Sequence, residues 1–193
     1  MEHNDKVRCP WCGKDPTYVK YHDEEWGVPV HDDRKHFEFL VLESAQAGLS
    51  WLTVLRKREN YRKAMDGFDA VKIAQYDDKK LEELLQNSGI VRNRLKIKAT
   101  ISNAQKFLDV VKEFGSFDTY IWSFTHNKTI YNQFKVLSEL PSKTELSDRI
   151  SDDLKKRGFK FIGSTIIYAH LQAIGVVNDH LTNCFRFFKS ERV

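Results

Sequence analysis

An all-α fold is what this sequence points to, and three observations carry that reading. Apolar residues recur at three- and four-residue intervals through most of the chain, which is the spacing of one helix face. Breaks in the pattern fall at Gly48, Gly67, Gly89, Gly115, Gly158, Gly163 and Gly175, while only four prolines occur. No run alternates apolar and polar residues as a half-buried strand would. The expectation is a bundle of about eight helices with an irregular N-terminal segment.

The first strong segment is DDRKHFEFLVLESAQAG, residues 32–48. Within it Glu43 stands among Phe39, Leu40, Val41, Leu42, Ala45 and Ala47. On a helix its neighbours three and four residues away are Phe39, Leu40, Gln46 and Ala47, of which only Gln46 is polar. A carboxylate so placed must find a partner, take up a proton, or cost the fold roughly several kcal/mol.

SWLTVLRKRENYRKAMDGF follows after a short junction, Gly48-Leu49-Ser50, in which Ser50 suits an N-cap. Leu49 is left near the tip of a tight turn. It either packs inward as a hydrophobic staple or acts as a wedge that enters a base stack. DDKKLEELLQNSG and RLKIKATISNAQKFLDVVKEFG are joined by a second junction, NSGIVRNRLKIK, residues 87–98. Gly89 permits a turn there, and amides opening the next helix would suit an anion. Arg92, Arg94, Lys96 and Lys98 add positive charge, either to grip phosphate without reading sequence or as a solvated face. SDRISDDLKKRGF and STIIYAHLQAIG supply two further helices.

The 193 residues fit one domain, and a 41% apolar share is enough for a real core. A formal charge of +4 permits a nucleic-acid partner without requiring one. No apolar run approaches the roughly 20 residues of a membrane span, and MEHNDKVRCPWC lacks a signal-peptide core. Three cysteines, an odd number, argue for a reducing compartment, and the expected location is the cytoplasm.

All three cysteines sit in two clusters that also hold histidines: Cys9, Cys12 and His22 near one end, His180 and Cys184 near the other. His180 and Cys184 share a helix face at four-residue spacing, and Cys9-x2-Cys12 is a familiar metal half-site. Thiolate with imidazole suits tetrahedral zinc, and four protein ligands with no open position make a structural site. Spacing leaves five candidates for four places, with Cys9, Cys12, His180 and Cys184 the simplest set.

Taken in order, CPWCGKDPTYVKYHDEEWGVP, FEFLVLESAQAGLSWLTVLRKRENYRKAM, SGIVRNRLKI, KKRGFKFIGSTIIYA and GVVNDHLTNC resemble the DNA-3-methyladenine glycosylase I family from about Cys9 to Cys184. The resemblance implies a helix-hairpin-helix DNA glycosylase fold with a zinc-binding segment. It implies a single domain over residues 1–193, whose segments 1–30 and 176–193 are joined by one structural zinc ion. It implies excision of 3-methyladenine from alkylated double-stranded DNA, leaving an abasic site. The family's zinc ligands fall on Cys9, His22, His180 and Cys184, so His22 replaces Cys12. Its base pocket falls on Glu43, with walls at Trp11, Tyr18, Tyr21 and Trp51. Its DNA contacts fall on the hairpin around Gly89 and on the gap-filling Gly48 and Leu49. Asp109 and Asp118 follow the hairpin, but the match gives neither a catalytic role. An N3-methylated adenine is already a good leaving group, so Glu43 is expected to recognise and position it, with water as nucleophile. A monomer is expected.

Overall fold

Helical periodicity becomes nine α-helices among the described residues, 6–46 and 48–187 of the computed structural model. They are α1 (Pro16–Glu24), α2 (Asp33–Gln46), α3 (Trp51–Ala64), α4 (Ala70–Ile73), α5 (Asp78–Gln86), α6 (Arg94–Phe114), α7 (Phe117–Ser123), α8 (Glu145–Lys156) and α9 (Ser164–Ala173). Segments 1–30 and 176–193 of the sequence reading therefore extend at both ends beyond the described residues.

Every residue of α2 from His36 to Ala45 is buried, so this helix is the axis of the fold. It is covered by α3, α6, α7 and α9, while α8 packs on α9 and α4 on α6. One cluster of buried apolar side chains runs from Cys9 to Cys184, so both ends of the chain contribute to it. Start signals read from sequence take effect at the helix ends. Ser50 Oγ accepts the Thr53 amide at 3.2 Å to cap α3, and Asn93 Oδ1 accepts the Lys96 amide at 3.1 Å to cap α6.

Three features depart from the sequence reading, the first being that His180 and Cys184 lie in a turn segment after residue 178 and not on a helix. The N-terminal segment is not irregular throughout, because α1 forms within it. Asp15 caps that helix by accepting the Thr17 and Tyr18 amides, and Pro16 occupies the first turn, where its missing N–H costs nothing. The fold also holds a two-residue parallel pairing, β1 (Ile130–Tyr131) with β2 (Val177–Asn178), too short to show any alternation in sequence. β2 lies just after α9 and fixes the start of the C-terminal segment.

The end of α9 runs against the stretch that follows α1. The Gly27 amide donates to the Gln172 carbonyl at 2.9 Å and the Val30 amide to the Ile174 carbonyl at 3.0 Å. Gly175 sits at φ +70°, and a Cβ there would lie 2.3 Å from the carbonyl carbon of Val28. Only glycine allows this crossing. No helix among the described residues is long and apolar enough to cross a membrane.

Candidate functional site

Where α1, α2, α3 and α9 converge, they leave an open cavity of about 270 Å³. Trp11, Tyr18, Tyr21 and Trp51, the four aromatic residues singled out from sequence, all line it, as does Glu43. Trp26, Gln46, Leu137, Leu140, Ala169 and Gln172 complete the lining and were not identified by the sequence reading. The rings form a connected set: Trp11 lies 5.0 Å from Tyr18 and 4.8 Å from Trp26, and Tyr21 lies 5.5 Å from Trp51. Its size is near the low end of small-molecule sites, roughly 300 Å³ upward, and suits one flat heterocycle.

Glu43 is 2% exposed, and its Oε2 has no hydrogen-bond partner among the described residues. Burial alone pushes its carboxyl up to about 8. No Arg or Lys pairs with Glu43 among the described residues. Trp11 Nε1 and Trp51 Nε1 are likewise buried and unpartnered. Native interiors seldom leave such groups unmatched, so three orphaned polar atoms lining one cavity mark a place built for a polar ligand. Burial also raises the Tyr18 and Tyr21 hydroxyls, and proximity to Glu43 adds to both shifts.

Behind the aromatic wall, Cys9, His22, His180 and Cys184 bring one sulfur or ring nitrogen each within 4.8 Å of one another, all four buried. Cys9 Sγ lies 3.7 Å from His180 Nδ1, and Cys184 Sγ lies 3.5 Å from His180 Nδ1 and 3.4 Å from His22 Nε2. The second nitrogen of each ring is already engaged. His180 Nε2–H donates to the Trp26 carbonyl at 2.9 Å, and since a carbonyl only accepts, Nδ1 is left with its lone pair toward the sulfurs. His22 Nδ1 lies 2.8 Å from Asp23 Oδ1, which leaves Nε2 facing inward. Amides of Leu181 and Arg186 point at Cys9 Sγ and Cys184 Sγ, as suits thiolates. This group could hold a metal ion, and its donor set fits a soft tetrahedral one.

Cys12 stands outside the group. Its Sγ donates to the Cys9 carbonyl at 3.2 Å, so the simplest ligand set by spacing is corrected in favour of His22. The short 3-10 turn Pro10–Cys12 explains why: it carries Cys12 away from Cys9 Sγ and swings Trp11 to the cavity. Trp26 links both centres, since its ring contacts Trp11 and its carbonyl holds His180.

On the outer surface, Gly48 has φ +82° and Leu49 is 41% exposed, so the turn between α2 and α3 presents Leu49 outward instead of packing it as a staple. Gly89 works differently from the sequence expectation. It does not adopt a positive φ; a Cβ there would meet Asn60 Cβ at 3.0 Å, so glycine serves close approach to α3. Its amide is bound to Asn87 Oδ1 at 2.8 Å and the Lys96 amide to Asn93, which leaves the Arg94 and Leu95 amides of α6 for any anion. Arg92 has no ion pair among the described residues, while Arg94 is held in a fork by Glu82 at 2.6 and 2.9 Å. Lys96 Nζ donates to the Ala45 carbonyl at 2.9 Å, tying the hairpin to the end of α2. Asp109 is exposed beside Lys106, Asp118 binds His31 and His36, and neither lines the cavity.

Comparison with known proteins accords with this geometry. The family model described as methyladenine glycosylase matches residues 11–187. The DNA-3-methyladenine glycosylase 1 of Escherichia coli strain K12 is 49% identical over 177 residues, 92% of this chain and 95% of that protein. A crystal structure of a 3-methyladenine DNA glycosylase I superposes with a TM-score of 0.90 at 50% identity, covering 93% of this chain and 99% of the other. The Staphylococcus aureus 3-methyladenine DNA glycosylase I, solved to explain its recognition of 3-methyladenine, gives 0.89 at 37% identity over 92% and 94%.

Proposed function

The chain belongs to the methyladenine glycosylase family, and from that premise we propose how its own residues remove 3-methyladenine from DNA. The reaction is hydrolysis of the N-glycosidic bond that joins the damaged base to its sugar. A base inside a duplex is out of reach, so the nucleotide must first leave the stack. Leu49, exposed on a turn that glycine lets bend sharply, fills the gap the base leaves, which makes double-stranded DNA the natural substrate. Arg92 and the opening amides of α6 hold backbone phosphate in the same encounter.

The flipped base enters the aromatic cavity, where stacking contributes on the order of 1–3 kcal/mol. Methylation at N3 gives the attached purine a positive charge, so the ring faces of Trp11, Tyr18, Tyr21 and Trp51 attract it beyond stacking. Glu43 provides the countercharge and accepts hydrogen bonds from the polar edge of the base. With its carboxyl raised to about 8 in the empty pocket, Glu43 is mostly protonated at neutral pH; the arriving cation favours the carboxylate and releases that proton. A neutral adenine offers no such exchange, and the charged base departs readily without a strong acid or a covalent nucleophile. The C1′–N9 bond breaks with its electrons passing to the base, which leaves as neutral 3-methyladenine, and water bonds to C1′ and gives up a proton to solvent.

Zinc is the ion that the two thiolates and two imidazoles of Cys9, His22, His180 and Cys184 would hold, with no chemistry at the base because the ligand set leaves no open position. These residues tie the segments carrying Trp11 and Trp26 to the chain after α9, within a single domain. The observation that carries the functional reading is buried, unpartnered Glu43 facing an aromatic cavity.

The test is chromatography of bases freed from methylated duplex DNA. Free 3-methyladenine with an uncut strand is expected; tight binding of lesion DNA without base release would make the protein a lesion-binding module instead. Metal analysis of the same preparation is expected to give one zinc per chain, retained in Cys12→Ser and lost in Cys184→Ser.

A further inference from the structure

Gln172 is the last polar side chain of the cavity, and its amide is not free to choose which end it turns inward. It lies on α9 three residues after Ala169, so both face the cavity from one side of that helix. Gln172 Nε2 donates to Asp179 Oδ2 at 2.7 Å, and Asp179 is itself fixed by Tyr168 and, at 2.7 Å, by Asn132 Nδ2. The Asp179 oxygens accept from Asn132, Tyr168 and Gln172 together, so the nitrogen end of the amide is committed to them. The oxygen end diverges from the same carbon. Gln172 Oε1 has no hydrogen-bond partner among the described residues, and the half-buried Gln172 side chain lines the cavity.

We infer that Gln172 Oε1, oriented by Asp179, is a second hydrogen-bond acceptor for the flipped base and selects a 6-amino over a 6-oxo purine. This rests on the excision reading above and adds a specificity residue to it. Glu43 supplies an acceptor from α2 and Gln172 one from α9. An exocyclic amino group has two hydrogens to share between such acceptors, whereas a 6-oxo group sets its own lone pairs against them. A site built to bind a donor rejects a base that presents an acceptor in its place, because the buried oxygen is then left unmatched.

The experiment measures kcat/KM for release of 3-methyladenine and of its 6-oxo counterpart, 3-methylguanine, from one methylated DNA preparation. In Gln172→Met, which keeps the length of the side chain, 3-methyladenine release is expected to fall about five- to tenfold. Release of 3-methylguanine is expected to change less than about twofold, so the preference narrows. Equal falls for both bases would assign Gln172 a merely structural role and overturn the inference, as would no change in either. If Gln172→Met does not fold, Asp179→Asn takes its place, since an asparagine there no longer dictates the amide's orientation. A narrowed preference then supports the inference, and an unchanged one overturns it. Wild-type protein that freed no 3-methyladenine would remove the excision reading itself, whereas wild-type release with an unaltered preference in the variant removes only this inference.

Discussion

Helix α2 carries two buried glutamates five residues apart, and they have opposite fates. Glu38 is 1% exposed and Glu43 2%, so burial does not separate them. Glu38 Oε1 accepts Arg58 Nε at 2.8 Å and Arg62 Nη2 at 2.6 Å, and Oε2 lies 3.1 Å from Lys35 Nζ. Burial pushes its carboxyl up, but Arg58, Lys35 and Arg62 outweigh that and hold it below the ordinary range. Glu43 has the burial without the cations and is pushed up to about 8. Five residues advance about 140° around an α-helix, so the two look out on different neighbours. One neighbour supplies a positive charge permanently; the other is a cavity that receives one only with substrate. A compensated buried charge belongs to the scaffold, and an uncompensated one marks a site whose partner arrives from outside.

Glu38→Ala breaks the scaffold half of the comparison and has the largest expected loss of stability. It leaves Arg58 partly unpaired in the interior, with a loss of about 3 kcal/mol, or a Tm lower by roughly 6–12 °C in a chain of this length. Base release per folded molecule is expected to stay within about twofold of wild type. A tenfold loss per folded molecule would show that Glu38 is not merely scaffold.

Glu43→Gln breaks the other half, and it should move activity and stability in opposite directions. Release of 3-methyladenine is expected to fall about a hundredfold, since the countercharge to the base is gone. Stability should rise instead. The folded pKa of Glu43 lies above that of an unfolded chain, near 4.3, so between those values the folded state binds more protons. Wild-type stability is therefore lost as pH climbs through that window, and glutamine escapes the loss. The variant's advantage should be near zero at about pH 4, grow toward pH 8 and then level off, with an upper bound on the order of 4–5 kcal/mol. Glu38 has the reverse signature: its lowered carboxyl contributes stability above the ordinary pKa that is lost as pH falls through the folded value. Urea titrations at pH 5 and pH 8 read Glu43 and a further series below about pH 4 reads Glu38, and a Glu43→Gln protein that is less stable at pH 8 would return Glu43 to the scaffold.

How legible these two residues are in sequence follows from where their partners lie. The run HFEFLVLES shows that Glu43 is out of place, because its helical neighbours are mostly apolar. It does not show that Glu38 is satisfied, because Arg58 and Arg62 lie 20 and 24 residues further on and meet it only through packing of α3 on α2. The metal centre has the same character. Cys9, His180 and Cys184 stand out by residue type, yet the choice of His22 over Cys12 needs the turn Pro10–Cys12 that separates the two thiols. Trp26 and Gln172 give no signal in sequence, because Trp26 acts through its own carbonyl, which accepts from His180, and Gln172 through the carboxylate of Asp179, contacts with no sequence spacing of their own. Helix α1 does carry a start signal in sequence, Asp15-Pro16.

The finest way to sharpen the comparison is to turn Glu43 into a second Glu38. Gln46 lies three residues further along α2, half-buried, and lines the same cavity. In Gln46→Lys an ammonium can reach the Glu43 carboxylate from the adjacent turn, so the carboxyl should titrate well below about 8. The resident charge would make the pocket comfortable when empty and less hospitable to a cationic base. Stability at pH 8 is expected to rise by about 0.5–1 kcal/mol, and 3-methyladenine release to fall about five- to tenfold. Gln46→Met, similar in size but uncharged, controls for the shape of the wall and should keep release within about threefold of wild type. If Gln46→Lys gained stability and lost no activity, the absence of a resident partner would not be what makes Glu43 a site. If the lysine alone cuts release while the methionine does not, the vacancy beside Glu43 is what the substrate's charge fills.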